Sequence, residues 1–206
     1  MKYDTIIWDI DGTLLNTKEG LISSYRYAIE SLKLEAKTDE EISNFIGPVP
    51  QSVFKNIFGL DDIQAQKGAD IFRERYKNHD LLKAYLYDGI LEVLEYFKSL
   101  SVKQAVATNK RHDYALDICK HFKIDTYCNP ILGSDNKSSR TKAELILEII
   151  KKNNSKNSIM IGDTTGDKNA ALEARIDFLG VNFGFGFKNQ NTYANSARDI
   201  IKILNC

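Results

Sequence analysis

Tyr3-Asp4-Thr5-Ile6-Ile7-Trp8-Asp9-Ile10-Asp11-Gly12-Thr13 runs from β-branched and aromatic residues into a polar turn that carries two carboxylates. The apolar part, Tyr3 to Trp8, predicts a buried strand, and three later runs predict three more: Gln104 to Thr108, Ser158 to Ile161 and Phe178 to Val181. Segments with helical spacing lie between the last three, at His112 to His121, Thr141 to Lys151 and Gly166 to Ala174. Strand alternating with helix implies a Rossmann-like α/β core, a parallel sheet with helices on both faces. A further helix near Gly89 to Ser99 feeds the second strand, with Asp88 as its expected N-cap.

About seventy residues between the first strand and that helix hold helical patterning and no convincing strand. Leu21 to Leu34 and Ile63 to Tyr76 read as amphipathic helices, and Gly47-Pro48-Val49-Pro50 marks a turn between shorter helical pieces. The expectation is therefore a core of residues 1–15 and 81–206 interrupted by an inserted α-helical cap of residues 16–80.

A length of 206 residues suits one core domain with a smaller insert, and 43% hydrophobic residues suffice for a sizeable core. The formal net charge of +0 offers no general attraction to nucleic acid or to an anionic membrane, so neither is expected as a partner. Cys119, Cys128 and Cys206 match no zinc or CxxC spacing, so unpaired thiols in a reducing compartment are expected. The early apolar run is too short, and too soon broken by Asp9, for a signal peptide or a membrane span. A cytoplasmic location is the matching expectation.

Asp9 and Asp11 stand where the first strand ends, and in an open parallel sheet ligands bind beyond the carboxyl ends of the strands. Residues two apart on extended backbone face one side, so both carboxylates enter one crevice. Asp-Gly also serves plain turns. The second cluster, Gly162-Asp163-Thr164-Thr165-Gly166-Asp167, again follows a strand and precedes a helix, where capping alone accounts for one aspartate. Two strand ends bearing carboxylate pairs are harder to explain by capping, because like charges at 4 Å repel by about 4 kcal/mol at an effective dielectric of 20. A cation is called for, and Mg²⁺ takes oxygen ligands of this kind.

Thr141 and Glu144 form a capping-box pattern that places Lys142 at the first helical position, where the helix dipole disfavours a cation. That mismatch becomes useful beside aspartates and phosphate. Thr108-Asn109, at the second strand end, offers a hydroxyl, an amide and backbone N–H groups to an anion.

Asp-x-Asp-Gly-Thr, a strand-end Thr-Asn, a lysine opening a later helix and Gly-Asp-x-x-x-Asp, in that order, resemble the haloacid dehalogenase (HAD) superfamily. The helical insert resembles that superfamily's C1 cap. Ile46-Gly47-Pro48 and Thr108-Asn109-Lys110 resemble its phosphoglycolate-phosphatase branch. The chain departs from the family in lacking a proline just after Lys142, which leaves Lys137 as a second candidate for the motif lysine.

The resemblance implies a Mg²⁺-dependent phosphatase acting on a small phosphate ester, phosphoglycolate first, through an aspartyl phosphate. It implies Asp9 as nucleophile and metal ligand, and Asp11 as acid then base, with its backbone carbonyl on the metal. Asp163 is then a metal ligand, with Asp167 supporting the ligands from outside the coordination sphere. Thr108, Asn109 and Lys142 hold the phosphoryl group, and the protein works as a monomer or homodimer. A sugar-phosphate mutase of the same fold is the rival enzyme, and a non-catalytic phosphate-binding protein the rival of another class. A dehalogenase would not need Asp11. A receiver domain would be shorter and uncapped. Phe183-Gly184-Phe185-Gly186-Phe187 reads as a packed loop, Arg73 and Arg75 as a solvated helix face, and His79, His112 and His121 as residues without metal-ligand spacing.

Overall fold

The structure, a computed structural model, describes residues 1–135 and 140–205. Lys137 and Cys206 lie outside the described residues. Strands β1 (Thr5–Trp8), β4 (Lys103–Arg111), β5 (Ile131–Ser134), β6 (Ser158–Gly162) and β7 (Asp177–Gly180) form a parallel sheet in the order β5-β4-β1-β6-β7. A short antiparallel ladder joins β2 (Leu15–Asn16) to β3 (Tyr85–Leu86). Two compact units emerge, Met1–Asn16 with Tyr85–Cys206, and Thr17–Ala84.

Thr17–Ala84 holds α1 (Lys18–Ser31), α2 (Asp39–Ser43), α3 (Pro50–Phe58) and α4 (Asp62–Arg75), the last running into a π-helical turn at Tyr76–Asp80. Its core is aromatic: the Tyr25 and Phe72 rings lie 4.3 Å apart, and Phe54 packs so closely on Gly68 that a Cβ there would meet its ring at 2.8 Å. Arg75 is not the solvated residue expected from its helix face. It pairs at 2.9 Å with Asp80, whose side chain is fully buried and also accepts from Ser24 at 3.0 Å. Arg73 pairs with Asp70 and is likewise largely covered.

The sheet unit carries α5 (Ile90–Ser99), α6 (His112–His121), α7 (Lys142–Asn153), α8 (Thr165–Glu173) and α9 (Ala197–Leu204). All four residues of β1 are buried because both faces of the sheet are covered. Ile7, Ala105, Ala107 and Met160 pack with Leu145, Ile146 and Ile149 of α7 and Ala170 and Ala171 of α8. On the other pleat Trp8 donates through Nε1 to Gln104 Oε1 at 3.2 Å, and Gln104 donates to the Leu94 carbonyl of α5 at 2.8 Å. The Trp8 and Gln104 side chains are thus both satisfied, which avoids a desolvation cost of about 1–3 kcal/mol.

Two local readings differ from expectation, and the β2–β3 ladder and helix α9 stand beyond it. Strand β5 is additional to the four anticipated runs; only four residues long and ending Gly-Ser, it lacks a run long enough to stand out. α5 is capped by Gly89, with φ 81°, and not by Asp88, because the chain enters the helix through a left-handed turn. Helix α9 closes the chain.

Candidate active site

Register brings the polar strand ends together. Trp8 is level with Val106 on one side and Ile161 on the other, and Asp9 N–H still donates to the Ile161 carbonyl at 3.0 Å. Asp9 therefore emerges between the ends of β4 and β6, the segments that lead to Thr108 and Asp163. Beyond it the Ile10 carbonyl accepts the N–H groups of Thr13, Leu14 and Leu15 at 3.2, 3.1 and 3.0 Å, folding the turn back on itself.

Asp163 is fully buried and held from two loops. It accepts from Thr13 Oγ1 at 3.4 Å, from Phe185 N–H at 2.6 Å and from Gly186 N–H at 3.2 Å. The glycine-aromatic loop is thus packed, as expected, and in addition orients a carboxylate, a role its spacing did not disclose. Glycine is required where the loops touch: a Cβ on Gly184 would lie 2.3 Å from Asp163 Cβ, and one on Gly12 (φ 83°) 2.2 Å from Asp163 Oδ2.

Thr141 and Glu144 form the anticipated capping box, so Lys142 opens α7, and it is buried. Its Nζ lies 2.9 Å from Asp9 Oδ1 and also pairs with Asp167 Oδ1. The other Asp167 oxygen accepts Thr164 N–H at 2.9 Å and Thr164 Oγ1 at 2.6 Å, forming the cap of α8. Both Asp167 oxygens thus have protein donors. Asp9 Oδ1 is buried with Lys142 near it but has no aligned hydrogen-bond donor.

Asp11 is drawn aside from these three. Its Oδ1 pairs at 3.1 Å with Lys110, whose side chain is 3% exposed. Sequence alone gives Lys110 no role, its place in Thr108-Asn109-Lys110 being the available signal. After Thr108 the β4–β5 register shifts, and the departing segment is fastened by Lys110 N–H to Thr108 Oγ1 at 3.2 Å and by Ser134 Oγ to the Asn109 carbonyl at 2.7 Å. Thr108 is buried, whereas Asn109 is exposed. His112 is spent on structure, its Nδ1 accepting Gly133 N–H at 3.2 Å. Cys119 and Cys128 are buried free thiols.

Asp9, Asp163 and Asp167 each present an oxygen within 4.8 Å of the others, the one such group able to hold a metal among the described residues. Taken with Asp11, these carboxylates exceed Lys110 and Lys142 by two charges when all are ionised. A divalent cation fits that excess, the all-oxygen donor set and the unaligned Asp9 oxygen. Without one, burial first, with Asp167, Asp11 and Asp163 adding to it against Lys142, pushes Asp9 up to about 7. Burial likewise pushes Asp163 up to about 6, against the Phe185 and Gly186 N–H groups. For Lys142 burial acts downward, but Asp167 and Asp9 outweigh it and hold the ammonium charged.

Between the ordinary carboxylate value of 3.8 and these raised values, the folded state keeps protons that the unfolded chain has released. Stability must therefore fall as pH rises through that window. Thermal melts in chelator are expected to show Tm declining from about pH 5 to pH 7 for this reason. Added Mg²⁺ should stabilise most at the upper end of the range. A Mg²⁺ increment that is flat across it would contradict this account of the carboxylates.

Residues 6–181 match the family described as haloacid dehalogenase-like hydrolase. A 5'-nucleotidase of Pseudomonas aeruginosa is 31% identical over 193 residues, covering 92% of this chain and 87% of its own. A phosphoglycolate phosphatase of Agrobacterium fabrum is 29% identical, covering 87% and 80% respectively. A crystal structure of a predicted phosphatase from Clostridium acetobutylicum superposes with a TM-score of 0.92 at 28% identity over 100% of both chains. No helix among the described residues is long and apolar enough to cross a membrane. By the span of that match, the chain belongs to the haloacid dehalogenase-like hydrolase family.

Proposed function

We propose that this phosphatase hydrolyses a small phosphomonoester with Mg²⁺ bound at Asp9 and Asp163 and with Asp9 as the nucleophile. The observation that carries the reading is Lys142, a buried lysine bridging Asp9 and Asp167 beside Asp163 at the strand ends. Asp167, with both oxygens engaged, suits the role of holding Lys142 in place. The Asp11 backbone carbonyl is a further metal ligand in this proposal. The ion supplies charge neutralisation for the carboxylates and the phosphoryl oxygens.

In the first half-reaction an Asp9 oxygen attacks phosphorus, the bond to the ester oxygen breaks, and Asp11 protonates that oxygen. In the second, Asp11 takes a proton from water, the water oxygen attacks phosphorus, and the bond to Asp9 breaks, releasing inorganic phosphate. Lys142 offers its ammonium, Thr108 its hydroxyl and Asn109 its amide to the phosphoryl oxygens. The helical unit Thr17–Ala84 is proposed as the cap that selects the leaving group, which favours small esters over phosphoproteins. Phosphoglycolate is the first candidate and nucleoside monophosphates the comparison, following the relatives' activities.

Phosphate release from phosphoglycolate, sugar phosphates, nucleoside monophosphates and pyrophosphate, with Mg²⁺ and with chelator, tests the reading. Chelation is expected to lower the rate at least about 100-fold, and Mg²⁺ to restore it. Full turnover in metal-free buffer would refute the metal's role. Isomerised sugar phosphate without free phosphate would instead identify a mutase.

A further inference from the structure

Tyr87 is fixed at both ends of the same loop system. Its backbone N–H donates to the Leu14 carbonyl at 3.2 Å, in the turn that carries Asp9 and Asp11. Its ring lies 4.9 Å from that of Phe183, at the head of the loop whose N–H groups hold Asp163. The neighbouring Tyr85 hydroxyl accepts from Asn16 at 2.8 Å, but the Tyr87 hydroxyl is buried and has no hydrogen-bond partner. Among the described residues, Asp9 Oδ1 is the other such atom at this site; Thr5 Oγ1, Asn153 Nδ2 and Asp80 Oδ1 lie elsewhere. A buried hydroxyl with no partner is costly, and in native proteins such a group is ordinarily satisfied by protein, water or ligand. Here no side chain satisfies it.

We propose that the Tyr87 hydroxyl is a specificity determinant, donating a hydrogen bond to an oxygen carried by the leaving group of the bound phosphomonoester. Burial, then the charges of Asp163, Tyr85 and Asp11, raises the phenol, so it is present as an O–H donor. Its backbone is tied to the Leu14 carbonyl in the turn that carries Asp11, which serves the ester oxygen in the proposed reaction, whereas Lys142 serves the phosphoryl group on Asp9. Tyr87 is accordingly assigned to the leaving-group end. The substrate class it favours bears a hydroxyl, ether or carboxylate oxygen close to the ester carbon. The inference rests on the phosphomonoesterase reading above.

Tyr87→Phe removes the hydroxyl and keeps the ring against Phe183. Phosphoglycolate, glycerol 2-phosphate and AMP carry such an oxygen, while p-nitrophenyl phosphate has none near the ester carbon. For those of the three that the wild type hydrolyses, kcat/KM should fall about tenfold, as for the loss of one neutral hydrogen bond. Turnover of p-nitrophenyl phosphate and inhibition by orthophosphate should stay within about twofold. Tm in metal-free buffer should be unchanged or higher, because an unsatisfied buried group has been deleted. Unchanged kinetics on every ester would overturn the inference while leaving the phosphatase reading intact. So would a uniform loss that includes orthophosphate, which would put the hydroxyl on the phosphoryl group, or a lowered Tm, which would make its role structural. A wild type that releases no phosphate from any of these esters would overturn both readings together.

Discussion

Asp9→Asn is expected to reduce turnover at least about 1,000-fold without loss of the fold. An amide of the same shape fits the same buried position but has no carboxylate electron pair to form a bond to phosphorus. The structure argues that folding survives the change. Lys142 keeps Asp167 as a partner, and the substitution deletes a buried carboxylate that burial already pushes up to about 7. Metal-free Tm at neutral pH should therefore be no lower than that of the wild type. Rates of phosphate release, thermal melts and a search for covalent phosphoenzyme by intact mass make the comparison. Wild-type turnover by this variant would remove Asp9 from the reaction; a collapsed Tm would mean that its pairing with Lys142 is structural.

The parallel sheet was legible because its central strands are buried on both faces and so appear as unbroken apolar runs, Thr5–Trp8 being entirely covered. Strand β5 was not, since four residues ending in Gly-Ser give periodicity nothing to act on. The sequence points to Asp88 and not Gly89 because an aspartate is the commoner N-cap and a left-handed entry leaves no mark beyond the glycine itself.

At the site, the carboxylates and Lys142 stood out through position: each follows a strand or opens a helix. What remained hidden was pairing. Nothing in Thr108-Asn109-Lys110 states that the lysine side chain turns back to Asp11, and nothing in Phe183-Gly184-Phe185-Gly186-Phe187 states that its backbone N–H groups meet a carboxylate 22 and 23 residues earlier. Backbone donors and long-range ion pairs depend on how loops meet, which local patterns do not encode. Tyr87 belongs to the same class, because an absent hydrogen bond has no sequence signature at all.

Asp11→Asn is expected to divide the reaction into its two halves. The proposed duties of Asp11 are to protonate the departing alcohol and then to activate water against the aspartyl phosphate, and a leaving group that needs no proton separates them. Nitrophenolate is such a group. With p-nitrophenyl phosphate, the variant should still phosphorylate Asp9 and release one equivalent of nitrophenolate rapidly, then stall at hydrolysis of the intermediate. With an alkyl ester both steps need the lost proton transfer, so little burst should appear and steady turnover should fall by about 100- to 10,000-fold. The fold should tolerate the change, because Asp11 Oδ1 meets Lys110 at a partly exposed position and the substitution leaves the backbone of the turn in place. Mg²⁺ affinity, read from the Tm increment on adding the ion, should change little for the same reason: the backbone carbonyl proposed as a ligand is retained. Stopped-flow absorbance and acid-quenched phosphoenzyme are the measurements. Equal losses on both substrates, with no burst and no trapped phosphoenzyme, would show that Asp11 is not the acid–base residue and that its ion pair with Lys110 serves another purpose.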